Sequence, residues 1–368
     1  MNGKERIDIA LERGQPDVVP IWELAFNEPS IIGIAKHFMD EADLPGPKLI
    51  MDMDGKEKFQ LINGMMKFAK ELEIDGLTGI TMAPRERVDD NHIRDALGVV
   101  QHVSEVGEPY PVEGPINEPS DMKNFKMREP LETDLLLIDV IRANLPDISI
   151  AYQLHGPFKT SWSLRGTMEK LLMDYILEPG FAHELARVST DYCLKLVDLI
   201  HAKGADWIVM DGDLAFNDNP LMSPAHYDEF IGQYHKEIID AAHAKGLKII
   251  KHSDGKLDAL LPNLIEVGYD GIHPIQPQCM DISEMKKNYG DKVCLLGNID
   301  CSFLLVFGTP DEVRQSVKET ISAAAPGGGY ILSSSNSIHP GCKPENYLAM
   351  VEAARKYGKY PELDKVED

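Results

Sequence analysis

The sequence predicts an α/β fold, a single TIM-type (β/α)8 barrel, on three observations. Its 368 residues fall in the range that α/β barrels occupy as one domain. Short apolar runs rich in Val and Ile alternate with longer amphipathic stretches, which is the βα rhythm. Eight such runs occur in series, and strands that are apolar on both faces need cover on both. A closed parallel barrel gives that cover without leaving two open sheet edges.

The elements follow in chain order. Strands are expected at 18–24 (VVPIWEL), 76–82 (GLTGITM) and 149–154 (SIAYQL), each followed after a loop by a helical segment. Five further βα units place strands at 205–210 (ADWIVM), 247–251 (LKIIK), 269–275 (YDGIHPI), 292–296 (KVCLL) and 330–332 (YIL). Their helices are expected at 223–246, 255–267, 281–288, 310–325 and 344–357. Residues 25–55 read as a helix-and-loop insertion after the first strand. Residues 83–129 break the rhythm with Pro84, Pro109, Pro111, Pro115 and Pro119 and one weak strand at 99–103. They read as a loop or small hairpin excursion between strands two and three. One barrel domain over 1–368, with insertions at 25–55 and 83–129, is the expected organisation, and the acidic tail after Tyr360 is expected to fray.

Sixty acidic against 37 basic residues give a formal net charge of -23. Such a surface repels phosphate backbones and anionic membranes, so neither nucleic acid nor membrane is an expected partner. No window of about 18 apolar residues exists, and the N-terminal segment lacks an apolar run of signal-peptide type; a cytoplasmic protein is expected. The five cysteines (Cys193, Cys279, Cys294, Cys301, Cys342) are odd in number and scattered, which excludes a disulfide framework and leaves packing, metal binding or catalysis. Gly327, Gly328 and Gly329 precede a strand and do not join a strand to a helix, so they form no phosphate cradle. Signals for serine hydrolases, dinucleotide folds and zincins are absent.

Barrel active sites lie at the C-terminal ends of the strands, and here those positions are polar. They are Glu23 and Asn27; Arg85, Glu86 and Arg87; His155; Asp211 and Asp213; His252 and Asp254; Gln276 and Cys279; Asn298, Asp300 and Cys301; then Asn336, His339 and Cys342. Blander roles stand beside the functional ones. Asp211 and Asp213 could cap the following turn, His252 could make a structural hydrogen bond, and Cys301 or Cys342 could be small buried residues.

The stretches DWIVMDGDLAFNDNPLMSPAHYDEF, IIKHSDG, VGYDGIHPI, LLGNIDCSFLLVFGTPDEV and GGGYILSSSNSIHPGCKPENYLAMVEAA resemble the uroporphyrinogen decarboxylase superfamily, well over roughly 150–357 and weakly before that. The resemblance implies one TIM-like barrel and one of two chemistries: decarboxylation of uroporphyrinogen, or zinc-dependent methyl transfer involving a corrinoid protein. It also implies a homodimer as the state to test. The decarboxylases carry an Arg-rich segment of the type R-x-P-x-W-x-M-R-Q-A-G-R that holds substrate carboxylates. The corresponding VVPIWELAFNEP keeps Pro20 and Trp22 but supplies Glu23 and Glu28 and no arginine. Carboxylates facing a polycarboxylate oppose binding, so the methyltransferase branch is favoured.

Thiol-methylating members of that branch show H-x-C after strand five and a further Cys after strand eight, three ligands that leave zinc an open position. Here the first motif is His252-Ser253-Asp254, and the late Cys aligns with Asn336. Only the histidine survives, which puts zinc in doubt. Members that demethylate phenyl methyl ethers carry a displaced set of one acid and two cysteines, and Asp254, Cys301 and Cys342, joined by His252, form the corresponding expected set here.

The expected function is transfer of a methyl group from a small donor, a methoxylated aromatic first among them, to the cobalt of a corrinoid protein. His252, Asp211, His155 and Asp213 are the expected catalytic groups. Trp22, Glu23, Asn27, Asn298, Asp300 and Asn336 are the expected substrate contacts, and zinc is the expected metal if one is held. The alternatives are a uroporphyrinogen decarboxylase and a non-catalytic module that binds a corrinoid protein.

Overall fold

The computed structural model describes residues 1–104 and 109–363. Its strands are β1 (Gly76–Gly79), β2 (Glu86–Arg87), β3 (His92–Arg94), β4 (Val100–Val103), β5 (Pro109–Glu113), β6 (Ser149–His155), β7 (Trp207–Asp211), β8 (Lys248–His252), β9 (Gly271–His273), β10 (Cys294–Ile299) and β11 (Tyr330–Ser334). Seven of them form a curled parallel sheet in the order β1-β6-β7-β8-β9-β10-β11, the arrangement of a TIM-like barrel.

The run at 18–24 forms no strand. Single parallel bridges join Ile21 to Leu332 on β11 and Trp22 to Gly76 on β1, so this segment touches both edges of the sheet. The ladder stops there for a local reason. Pro20 has no N–H to give, and the N–H of Ile21 goes to the carboxylate of Asp75 at 2.8 Å in place of a neighbouring carbonyl.

Alternation along the strands sorts two cores. Trp22, Trp207, Val209, Ile250, Leu296 and Ile331 pack inside the sheet with Ile7 and Leu11 of the helix Gly3–Leu11. Ile208, Met210, Ile249 and Leu295 point the other way, into the layer beneath the surrounding helices. The stretch read as a loop or hairpin holds four antiparallel strands, β2-β3-β4-β5. Its prolines are tolerated because Pro109 and Pro111 sit on β5, an edge strand, where a missing N–H costs no ladder bond. Residues 25–55 contain the helix Glu28–Ala35 and two short 3-10 turns.

Helix positions follow the amphipathic pattern, with one shortening. The segment expected at 255–267 is helical only over Leu261–Glu266, because Gly255 has a φ of 89° and donates its N–H to the side chain of Gln276 at 2.8 Å. Among the described residues no helix is long and apolar enough to cross a membrane. Tyr360–Leu363 forms one helical turn, and the rest of the acidic tail lies outside the described residues.

Candidate active site

The ends of β6 and β7 are in register, with His155 opposite Asp211. His155 donates its Nδ1 proton to Asp211, 2.8 Å from each oxygen. Gln153 donates at 2.8 Å and Lys159 at 3.4 Å to the same carboxylate. Burial raises the pKa of Asp211, but the charges of His155 and Lys159 outweigh it and hold the carboxyl well below the usual range. Asp211 is therefore an anion, and it leaves Nε2 of the exposed His155 ring available for proton transfer at the mouth. Lys159 reaches this position past Gly212, whose φ is 118°; a Cβ there would sit 3.1 Å from the Cβ of Lys159.

Beside this pair, Asp213, His252 and Asp254 bring one ligand atom each to within 4.8 Å of one another. The tautomer of His252 follows from its partners. His273 is fully buried, and that burial pushes its pKa well below the ordinary value, so it is neutral. Its Nε2 faces the hydroxyl of Ser333 at 3.1 Å and the carbonyl of Ser334 at 3.3 Å. The Ser333 hydroxyl itself donates to that carbonyl, so Nε2 of His273 must donate and its Nδ1 must accept. The 2.7 Å contact between the two Nδ1 atoms then carries the proton of His252. With that proton on Nδ1, Nε2 of the neutral ring, 3.9 Å from Asp213, is the atom that would offer its lone pair to a cation between the carboxylates.

Asp254 completes the group. Its N–H donates to Asp213 at 3.0 Å, and its Oδ2 accepts from the amide of Asn336 at 2.5 Å. Burial raises its carboxyl to about 6, and its Oδ1 is buried without a partner among the described residues. An orphaned carboxylate oxygen, a second carboxylate and an imidazole lone pair form a donor set that a divalent cation such as zinc satisfies. A cavity of about 300 Å³ opens on Asp254, lined also by Gln276, Gln278, Cys301, Asn336 and His339.

The remaining expected residues distribute as follows. Cys301 borders this cavity, but its thiol, raised to about 11 by burial, takes a hydrogen bond from Ser335 and stands outside the cation group. Cys342 donates to the carbonyl of Cys301 at 3.5 Å and is likewise outside the group. Trp22 is fully buried, packed on Trp207 and His273 with its indole N–H on Thr78, so it supports the barrel interior and cannot touch a substrate. Asp300 is spent on its own turn, accepting from Ser302 and Phe303. Asn298 is tied to the carbonyl of Ile275 at 2.8 Å. Asn27 precedes the helix Glu28–Ala35 with its Oδ1 buried and, among the described residues, unpartnered. Glu23 is 1% exposed, bonded to Ser334, and borders a second, apolar cavity of about 100 Å³.

Three participants escaped the sequence reading. His273 ends β9 and carried a readable signal, a histidine closing an apolar strand. Lys251 interrupts the apolar run of β8; fully buried and lowered to about 8 by that burial, it donates to the carbonyls of Gly212 and His252 at 2.7 Å each and ties the ends of β7 and β8 together. Lys159 had no signal, since its role depends on Asp211 lying opposite the helix Pro157–Arg165.

The uroporphyrinogen decarboxylase (URO-D) family model matches residues 92–357. The methylcobamide:CoM methyltransferase MtaA of Methanosarcina barkeri is 26% identical over 221 residues, 60% of this chain and 62% of that protein. The uroporphyrinogen decarboxylase of Thioalkalivibrio sulfidiphilus is 24% identical over 306 residues, 76% of this chain and 83% of that one. A solved methyltransferase from Methanosarcina mazei superposes with a TM-score of 0.69 over 97% of this chain and 99% of its own, at 18% identity, a likeness of fold.

Proposed function

The chain belongs to the uroporphyrinogen decarboxylase (URO-D) family, and from that premise we propose that it is a methyltransferase. It moves a methyl group from a small donor, a methoxylated aromatic, to the cobalt of a corrinoid protein. The observation that carries this reading is the cavity itself. It is small, opens on Asp254 of the Asp213, His252 and Asp254 group, and neither lysine nor arginine lines it. A polycarboxylate finds no counter-charge there, whereas an uncharged donor meets amide, hydroxyl and imidazole groups.

Asp213, His252 and Asp254 would hold the cation, with Asn336 orienting Asp254. When bound, zinc would polarise the donor oxygen, and a corrinoid of the partner protein would supply the electron pair that takes the methyl carbon. The residues of the chain do the rest. His155, oriented by Asp211, delivers a proton to the oxygen as its bond to the methyl carbon breaks, so that the phenol leaves neutral. Lys159 holds positive potential beside Asp211, and the Gln276 and Gln278 amides offer uncharged contacts to the donor. The reading carries one barrel domain over 1–368 with 25–55 and 83–129 as insertions.

The test is spectroscopic. Incubating the chain with zinc, a methoxylated aromatic and reduced cobalamin converts the Co(I) spectrum to that of methylcobalamin. No conversion with any methoxylated aromatic, beside release of carbon dioxide from uroporphyrinogen, would replace this reading with the decarboxylase.

A further inference from the structure

Ser334, the last residue of β11, touches three residues that otherwise lie on separate elements. Its Oγ lies 2.6 Å from Oε2 of Glu23 and 2.6 Å from the main-chain carbonyl of Asn336. Its N–H donates to Glu23 at 3.1 Å, and its carbonyl receives the Nε2 proton of His273 at 3.3 Å. Asn336 is the residue whose amide holds Asp254, and His273 is the acceptor that sets the tautomer of His252.

The directions of these bonds are fixed by what each atom can do. A carbonyl only accepts, so the one hydroxyl proton of Ser334 goes to Asn336. Oγ of Ser334 must then accept from Glu23, which is able to donate only as a neutral acid. The surroundings agree. Glu23 is 1% exposed and has no lysine, arginine or histidine partner among the described residues. Burial raises its carboxyl to about 8.

We infer that Glu23 and Ser334 are positioning residues for the Asp213, His252 and Asp254 group, acting on Asp254 through Asn336 and on His252 through His273. From Glu23 the bonds run to Ser334, to Asn336, to Asp254, all donated in one direction. A second run leads from His252 through His273 to the carbonyl of the same serine. One residue, buried beneath the site, thus sets the orientation of both a carboxylate and an imidazole that face a cation. An ionised Glu23 would reverse the first bond, take the hydroxyl proton and release the carbonyl of Asn336. This reassigns Glu23 from substrate contact to support, and it rests on the cation part of the functional reading, not on methyl transfer.

The full-length chain, stripped with chelator and titrated with Co2+, tests it through the affinity and the visible d–d spectrum of the bound ion. Ser334→Ala keeps the carbonyl for His273 but removes the relay to Asn336; Co2+ affinity is expected to fall by about 10-fold to 100-fold, as for loss of an orienting partner, with a changed spectrum. Glu23→Leu is expected to act in the same direction. Glu23→Gln, which donates and accepts where the neutral acid does, is expected to keep both affinity and spectrum. Loss of affinity in Glu23→Gln equal to that in Glu23→Leu would overturn the neutral relay. Unchanged affinity and spectrum in Ser334→Ala would overturn the positioning role. Wild-type chain that takes up no Co2+ would overturn the cation group and this inference together, and the methyl-transfer assay stands apart from all three results.

Discussion

His252 donates its Nδ1 proton to Nδ1 of His273 at 2.7 Å, and His273 hands its own proton to β11. Two histidines in contact ordinarily invite a shared charge. Here the deeper one is kept neutral by burial, so its lone pair does the work that a carboxylate or carbonyl does for a metal-binding histidine elsewhere. The first prediction follows. His273→Phe fills the space but offers no acceptor, and Zn2+ affinity is expected to fall by about 10-fold to 100-fold in a chelator-competition titration. Affinity equal to wild type would show that His252 does not need its partner.

The second concerns Glu23. Its carboxyl is raised from 4.5 to about 8, by burial first. Between those values the folded chain keeps a proton that the unfolded chain has lost, so stability falls as pH rises: the contribution is complete below about 4.5 and gone above about 8. Glu23→Gln does not titrate. Its stability relative to wild type should therefore rise between pH 5 and pH 8, by on the order of a few kcal/mol. Urea midpoints at the two pH values check this, and parallel profiles for the two proteins would mean that Glu23 is ionised in the folded state.

The third separates the cysteines from the cation. Cys301 is occupied by Ser335, and Cys342 by the carbonyl of Cys301. Cys301→Ser and Cys342→Ser are expected to keep full Zn2+ stoichiometry while losing about 1 kcal/mol of stability or somewhat more, the cost of burying a hydroxyl in a thiol site. Metal analysis after dialysis decides it. A drop in zinc content in either variant would bring that thiol back into the ligand set.

The barrel was legible because its signal is repeated: each Val- and Ile-rich run is buried on both faces, and the pattern recurs unit after unit. The run at 18–24 has the same composition but loses its ladder to Pro20 and to the side chain of Asp75, fifty-four positions away in sequence, which no local pattern reveals. The site divides in the same way. His155, Asp211, His252 and Asp254 could be read because strand ends face the mouth. Trp22 was read as a contact for the same reason and is instead walled in by Trp207 and His273. Lys159 and Ser334 owe their places to partners on other elements, and the cysteine positions depend on loop geometry that spacing alone does not fix.

The last prediction is that uroporphyrinogen is not decarboxylated. A substrate bearing many carboxylates needs cations at the mouth, and two of the arginines near this one are already committed. Arg87 makes two 2.8 Å bonds to Asp52, and Arg165 is held by Asp174 at 2.7 Å and by the carbonyl of Asn117 at 2.7 Å. Lys159 sits between Asp211 and the charges of Asp213 and Asp254, which raise its pKa and spend its charge internally. The cavity that opens on Asp254 adds an acid of its own, and the chain as a whole carries a net charge of -23, so approach and binding are both disfavoured. Removing one acid should not be enough: Asp254→Asn is expected to remain inactive on uroporphyrinogen, because it adds no cation to the cavity. Anaerobic incubation followed by chromatography of the oxidised porphyrins checks both proteins, and coproporphyrinogen formed by the wild-type chain above the rate without enzyme would show that the arginine clamp is dispensable.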